Sequence, residues 1–234
     1  MRYIGGKGKL GTSIAPVIDQ ALPAYAGRYV EPFVGGNNIL YRLHNLSEGA
    51  LYDLHPGIPA LYTAVADGWV PPSELSEKEY KDMRDCRDDS PLHTFVSFAC
   101  SFGGQEWSSY SKQGTRNLCA EGMRSVMRKV LCANKDKVVY KCSSYLDIHV
   151  PSPSVIYCDP PYRGLDLYRG KFDNDVFEAW CEAMSEEHCV LVSEYSAPAH
   201  WEVLWQGPEI VSTGTKLCQR ERSKDVLYRA CASR

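Results

Sequence analysis

The stretch from residue 28 to residue 55 constrains the fold more than any other part of this chain. RYVEPFV is a short apolar run that ends in Gly35-Gly36, NNILYRLHNL follows with Ile39, Leu40, Leu43 and Leu46 at helical spacing, and GALYDLH is a second apolar run with Asp53 near its end. Strand, glycine turn, helix and strand make a βαβ unit, which implies a parallel sheet with both faces covered. Later runs repeat the theme: KVVYKCSS (137–144), SVIYCD (154–159) and CVLVSEY (189–195) read as strands, DVFEAWCEAM as a helix, and EIVST with DVLYRA as a terminal pair. The expected fold is α/β with a Rossmann-like core.

The middle of the chain departs from that pattern. WVPPSELSEKEYKDMRDCRDD (69–89) is polar and broken by prolines, with Ser76 and Glu79 spaced as a capping box. SPLHTFVSFACSF (90–102) is an apolar helix candidate, and GGQEWSSYSKQGTRN (103–117) reads as an exposed loop. GMRSVMRKVLCAN (122–134) places Met123, Val126, Met127, Val130 and Leu131 on one helical face and Arg124, Arg128 and Lys129 elsewhere. The expected organisation is a core over residues 1–62 and 138–234, interrupted by a mainly helical insertion over 63–137. A chain of 234 residues is long enough for that.

Composition narrows the function classes. No apolar stretch is long enough to span a bilayer and no signal or transit peptide precedes the first strand, so the chain is expected to be cytoplasmic and not a membrane protein. The ten cysteines form no C-x-x-C pair and read as reduced thiols; the six histidines are scattered, so no metal is expected. A net charge of -3 gives no global attraction to nucleic acid, which leaves only a local basic patch for such binding.

Ligands of open α/β sheets bind at the carboxyl ends of the strands, where Gly35-Gly36, Asp53 and Asp159 all fall. Gly35 and Gly36 admit close backbone approach, and Asp53 stands at about the spacing at which an acid reaches ribose hydroxyls. That suits an adenosine moiety, although glycine turns also simply join strand to helix. G-x-G-x-x-G is absent, which argues against a dinucleotide, and GGKGKLGTS lacks the order of a phosphate-binding P-loop. In Asp159-Pro160-Pro161-Tyr162 the prolines remove two backbone donors and leave the Asp159 carboxylate and nearby carbonyls as acceptors. Acceptors without competing donors suit an exocyclic amino group, and Tyr162 offers a flat face for stacking a base. The implied chemistry is transfer of a small electrophile to that amino nitrogen. Cys158 is not a nucleophile candidate, because amino transfer of this kind needs no covalent enzyme intermediate.

RYIGGKGKL, EPFVGGNNI, LYDLH, CSSYLD and YCDPPY, in that order, resemble the Dam-type DNA adenine methyltransferases, and FACSFGGQEWSSY is similar to the central segment of phage-borne members. The resemblance implies S-adenosyl-L-methionine as cofactor, double-stranded DNA as partner, and methylation of the exocyclic nitrogen of a flipped-out adenine in a short motif. Methylation of the cytosine exocyclic amine and a non-catalytic DNA-binding relative are the alternatives. By position, it implies Asp159, Pro160, Pro161 and Tyr162 as catalytic residues and Tyr3, Lys7, Glu31, Phe33, Gly35, Asp53, Ser144, Tyr145 and Asp159 around the cofactor, with Lys7 facing its carboxylate. Asn37 stands where Gly is common, His55 where Asn is common, and Ser144 where many relatives carry Asp. DNA contacts are expected from Arg2, Trp107, Tyr110, Lys112, Arg116 and Arg124, with Arg128, Lys129, Lys135, Lys137 and Lys141 extending the basic face. The competing expectation is that Arg124, Arg128 and Lys129 are the solvated side of a helix and that Trp107 and Tyr110 are core. The target sequence, oligomeric state and biological setting, whether restriction-modification, phage defence or regulation, are not legible.

Overall fold

The computed structural model describes residues 1–112, 114–133, 135–163, 172–211 and 222–232. A seven-stranded sheet runs in the order β3-β2-β1-β4-β5-β7-β6, from β1 (Arg28–Glu31), β2 (Glu48–Asp53), β3 (Val138–Cys142), β4 (Val155–Cys158), β5 (Cys189–Glu194), β6 (Glu202–Val211) and β7 (Arg222–Arg229). The strands from β1 to β5 are parallel, with Tyr29 opposite Val155 and Val30 opposite Ile156, while β7 runs antiparallel to both β5 and β6. Strand order reverses between β1 and β4, and the crevice between their carboxyl ends is where such sheets bind ligands. This is the expected α/β, Rossmann-like architecture.

Burial on both faces explains the continuous apolar runs. In β4, Val155 and Tyr157 join the buried cluster on one face of the sheet, and Ile156 and Cys158 join the cluster on the other. The first face is covered by α1 (Gly11–Ala21) and α2 (Gly57–Ala66), with α4 (Pro91–Ala99) and α5 (Leu118–Cys132) stacked on α2; the second is covered by α6 (Asn174–Met184) through Phe177 and Cys181. α3 (Glu77–Asp85) begins with the anticipated box: Ser76 Oγ accepts from Glu79 N and the Glu79 carboxylate accepts from Ser76 N at 2.7 Å. Phe95, Val126 and Val130 lie in the same buried cluster as Leu51 and Tyr157, and the helices of 63–137 join it by packing on α2.

Three expectations are corrected. The helix expected over NNILYRLHNL is one short 3-10 turn, Leu40–Arg42, because the chain passes through left-handed backbone at Gly35 and Asn37 and is then held by α1. Asp19 Oδ1 accepts from His44 N at 2.7 Å and Asn45 N at 2.9 Å, giving those amides a partner outside any helix. On α5, Leu131 is 58% exposed whereas Lys129 is 3% exposed, so the buried face is rotated from the one anticipated. The segment 103–117 is not an exposed loop throughout, since Gly104, Trp107 and Ser111 are buried. The end of the EIVST run and the Lys135 side chain lie outside the described residues.

Candidate active site

The carboxyl ends of β1, β2 and β4 open into a cleft of about 870 Å³ whose lining includes Tyr3, Lys7, Glu31, Gly35, Asp53 and Asp159. Gly35 shapes its floor: φ is +39°, and a Cβ there would stand 2.8 Å from the Tyr3 ring, so a side chain at this position is excluded twice over. The Tyr3 ring is itself backed by Phe98 at 4.8 Å between centroids. Asn37, at φ +47°, keeps the turn left-handed without glycine.

Asp53 closes the β1–β2 side. Its Oδ2 accepts from Gly35 N at 2.9 Å and its Oδ1 from His55 N at 2.9 Å; burial raises its pKa, and these amides oppose the rise. His55 Nδ1 accepts from Gly57 N at 3.1 Å, which leaves its Nε2–H to donate to Glu106 Oε1 at 3.0 Å. The loop after α4 is thereby tied to the cleft, and Ile4 N donates to Gly104 O at 3.1 Å on the same side. Glu31 is 2% exposed and accepts from Tyr29 Oη at 2.8 Å, with burial pushing its pKa well up. Phe33, Tyr145 and Phe172 form an aromatic wall, with Phe33 5.5 Å from Tyr145 and 5.8 Å from Phe172. Ser144 lines the cleft beside Tyr145, its Oγ accepting from Leu146 N at 3.3 Å.

At the end of β4, Asp159 Oδ1 lies 2.8 Å from Lys7 Nζ. The same ammonium stands 3.4 Å from Asp225 Oδ1 and 4.3 Å above the centroid of the Tyr162 ring. Tyr162 Oη donates to Asp225 Oδ1 at 2.8 Å, and Tyr195 meets the ring edge-on at 4.6 Å. Burial raises the Asp159 pKa and Lys7 opposes the rise; burial works against the Lys7 ammonium, but Asp159 and Asp225 outweigh it and its pKa is raised. Lys7 therefore carries its charge in this enclosure. Glu194, at the end of β5, accepts from Tyr195 N at 2.7 Å and Arg163 N at 3.2 Å, and burial pushes its pKa up to about 7.

The structure thus brings Tyr3, Lys7, Glu31, Phe33, Gly35, Asp53, Ser144, Tyr145 and Asp159 to one cleft, with Pro161 on its wall and Tyr162 beside Lys7. Asp225, Glu194 and the His55–Glu106 link went unread. Glu194 ends a strand as Asp53 and Asp159 do, and Asp225 is an acid opening an apolar run; both signals are present in the sequence.

The residues expected on DNA divide. Trp107 is 8% exposed and packs on Tyr80 at 5.4 Å, so it lies in the core, as the competing expectation had it. Lys129 is likewise removed from the basic face: its Nζ donates to Gly36 O and, at 2.7 Å, to Asn38 Oδ1. Tyr110 Oη donates to Leu75 O at 2.7 Å, and Arg2 donates to Ser101 O at 3.1 Å. Lys112 and Arg116 are exposed and pair with Glu77 and Glu121; Arg124 and Arg128 are exposed on α5.

Comparison with known proteins agrees with the motifs. DNA adenine methylases from two strains of Vibrio cholerae serotype O1 are 27% identical over 185 residues, covering 70% of this chain; the matched region spans 65% of the length of those relatives. The solved rRNA methyltransferase AviRa from Streptomyces viridochromogenes aligns over 93% of this chain and 84% of its own, at 15% identity and a TM-score of 0.42. Residues 3–91 match the family model of the D12 class of N6 adenine-specific DNA methyltransferases, and over that part of the chain the resemblance read from its motifs is borne out.

Proposed function

We propose that the chain is a DNA methyltransferase that uses S-adenosyl-L-methionine to methylate the exocyclic amino nitrogen of a flipped-out adenine. The observation that carries this reading is the placement of Asp159 in one cleft with Lys7, Gly35 and Asp53. The donor set fits the cofactor: Asp53 retains lone pairs for ribose hydroxyls, the aromatic wall of Phe33 and Tyr145 suits adenine, and the half-buried Asp159 carboxylate suits a positively charged sulfur, whereas Lys7 is paired with Asp159 and Asp225 and not held ready for the cofactor carboxylate. When bound, S-adenosyl-L-methionine would supply an electrophilic methyl group, with the neutral thioether as leaving group and the proton lost from the amino nitrogen passing to solvent. Asp159 and the Pro160 carbonyl orient the amino group and favour the positive charge that develops on nitrogen. Tyr162 presents its ring to the base once Lys7 has moved from it.

Residues 1–62 and 138–234 act as the catalytic core and 63–137 as the DNA-recognition insertion. Flipping the base costs a few kcal/mol of unstacking, which contacts to the phosphate backbone must offset. Arg2, Tyr110, Lys112, Arg116 and Arg124 are the residues we place on DNA. The test is methylation of unmodified genomic DNA by purified protein with S-adenosyl-L-methionine, read by modification-sensitive sequencing beside Asp159→Ala. Marks on adenine at one short motif, absent with the variant, are expected. Marks on cytosine, or cofactor binding without any marks, overturn the proposal.

A further inference from the structure

Lys7 occupies the position that the target amino group needs. Its ammonium is 2.8 Å from Asp159 Oδ1 and sits above one face of Tyr162, so neither that oxygen nor that ring face is open to a base while it stays. The side chain is buried, and moving it to a place without a counter-charge would strand a cation away from water. Asp225 removes that obstacle. It reaches the site from β7, the antiparallel strand beside β5; its side chain is 8% exposed, and it already lies 3.4 Å from Lys7 Nζ. The same Oδ1 holds the Tyr162 hydroxyl at 2.8 Å.

We propose that Asp225 is a positioning residue of the methyl-transfer centre: it anchors the Tyr162 ring and retains the Lys7 ammonium when the target amino group displaces it from Asp159. The inference rests on the methyltransferase reading above. Asp225 touches neither the reacting nitrogen nor the methyl carbon; it acts through Lys7 and Tyr162. A carboxylate present only to satisfy the Tyr162 hydroxyl has a different requirement, since an amide oxygen serves that hydroxyl equally well.

Asp225→Asn separates the two roles, because it keeps an acceptor for Tyr162 and removes the charge that shares Lys7. With adenine methylation assayed at saturating cofactor and DNA, Asp225→Asn is expected to lower kcat by about tenfold or more, through a misplaced acceptor, with KM for the cofactor changed by less than about twofold. Asp225→Glu, which restores the charge, is expected to recover part of kcat. In a Lys7→Met background the same Asp225→Asn change is expected to cost little, because no ammonium then competes for Asp159. A wild-type kcat in Asp225→Asn, a loss equal with and without Lys7, or a series in which kcat follows melting temperature instead of charge overturns the inference. Wild-type protein that methylates no adenine overturns the functional reading and this inference together, whereas active wild type with a silent Asp225→Asn overturns the inference alone.

Discussion

Replacing Lys129 with methionine is expected to stabilise the protein while impairing its cofactor site. Lys129 is 3% exposed, and burial, with Arg42 and Arg128 nearby, pulls its pKa from 10.5 down to about 7. At pH 8 the unfolded chain carries a proton there that the folded chain largely lacks, which withholds about 3 kcal/mol from stability. Against this stand its hydrogen bonds to Gly36 O and Asn38 Oδ1, whose loss costs about 1–3 kcal/mol, most of it at the carbonyl left without a donor. Methionine has a similar length and no charge to desolvate, so relief of the proton penalty offsets or exceeds the lost hydrogen bonds, and a net gain of up to about 2 kcal/mol follows at pH 8. Because the unfolded state binds the extra proton between about pH 7 and pH 10.5, wild-type stability climbs with pH across that window, and the variant lacks this contribution. Below about pH 7 both states are protonated and the penalty is constant at its largest. Urea unfolding of both proteins at pH 7, 8 and 9 reads the stability, and calorimetry with S-adenosylhomocysteine reads the glycine turn that Lys129 braces. A variant less stable than wild type with an unchanged pH slope would refute the reasoning.

Other perturbations test separate links. Gly35→Ala forces a Cβ toward the Tyr3 ring in left-handed backbone and is expected to cost about 1–3 kcal/mol and weaken cofactor binding, read by unfolding and calorimetry. Ser76→Ala breaks the capping box of α3 and should lower stability by about 1 kcal/mol with methylation unchanged. Trp107→Ala opens the core and should cost about 3–5 kcal/mol in unfolding experiments, whereas Arg124→Ala should leave stability unchanged, weaken DNA binding and reduce its salt slope by about 1.

The sequence announces the sheet because β1, β2, β4 and β5 are buried on both faces, and such strands must be written as unbroken apolar runs. The strand-end rule located Gly35, Asp53 and Asp159 for the same reason: a polar residue after such a run has only the carboxyl edge to occupy. What the sequence hides is tertiary. Helical spacing over 39–46 is real, but Asp19 on α1 takes the amides a helix would use. Lys129 looks like any surface lysine, and only the packing of α5 against the glycine turn puts it indoors. Trp107 sits among Gly, Ser and Gln, so its burial depends on Tyr80 and His93, which belong to elements read separately.

The position of β7 bears on how the protein is made. β7 lies between β5 and β6, although it follows both in the sequence, so an interior place in the sheet is filled after the strands on either side of it have been made. During synthesis Lys7 leaves the ribosome long before Asp225, and until β7 inserts, β5 presents an unpaired edge to other chains. A chain stopped short of β7 is therefore a candidate for aggregation. Asp225 reaches Lys7 and Tyr162 only when β7 pairs with β5.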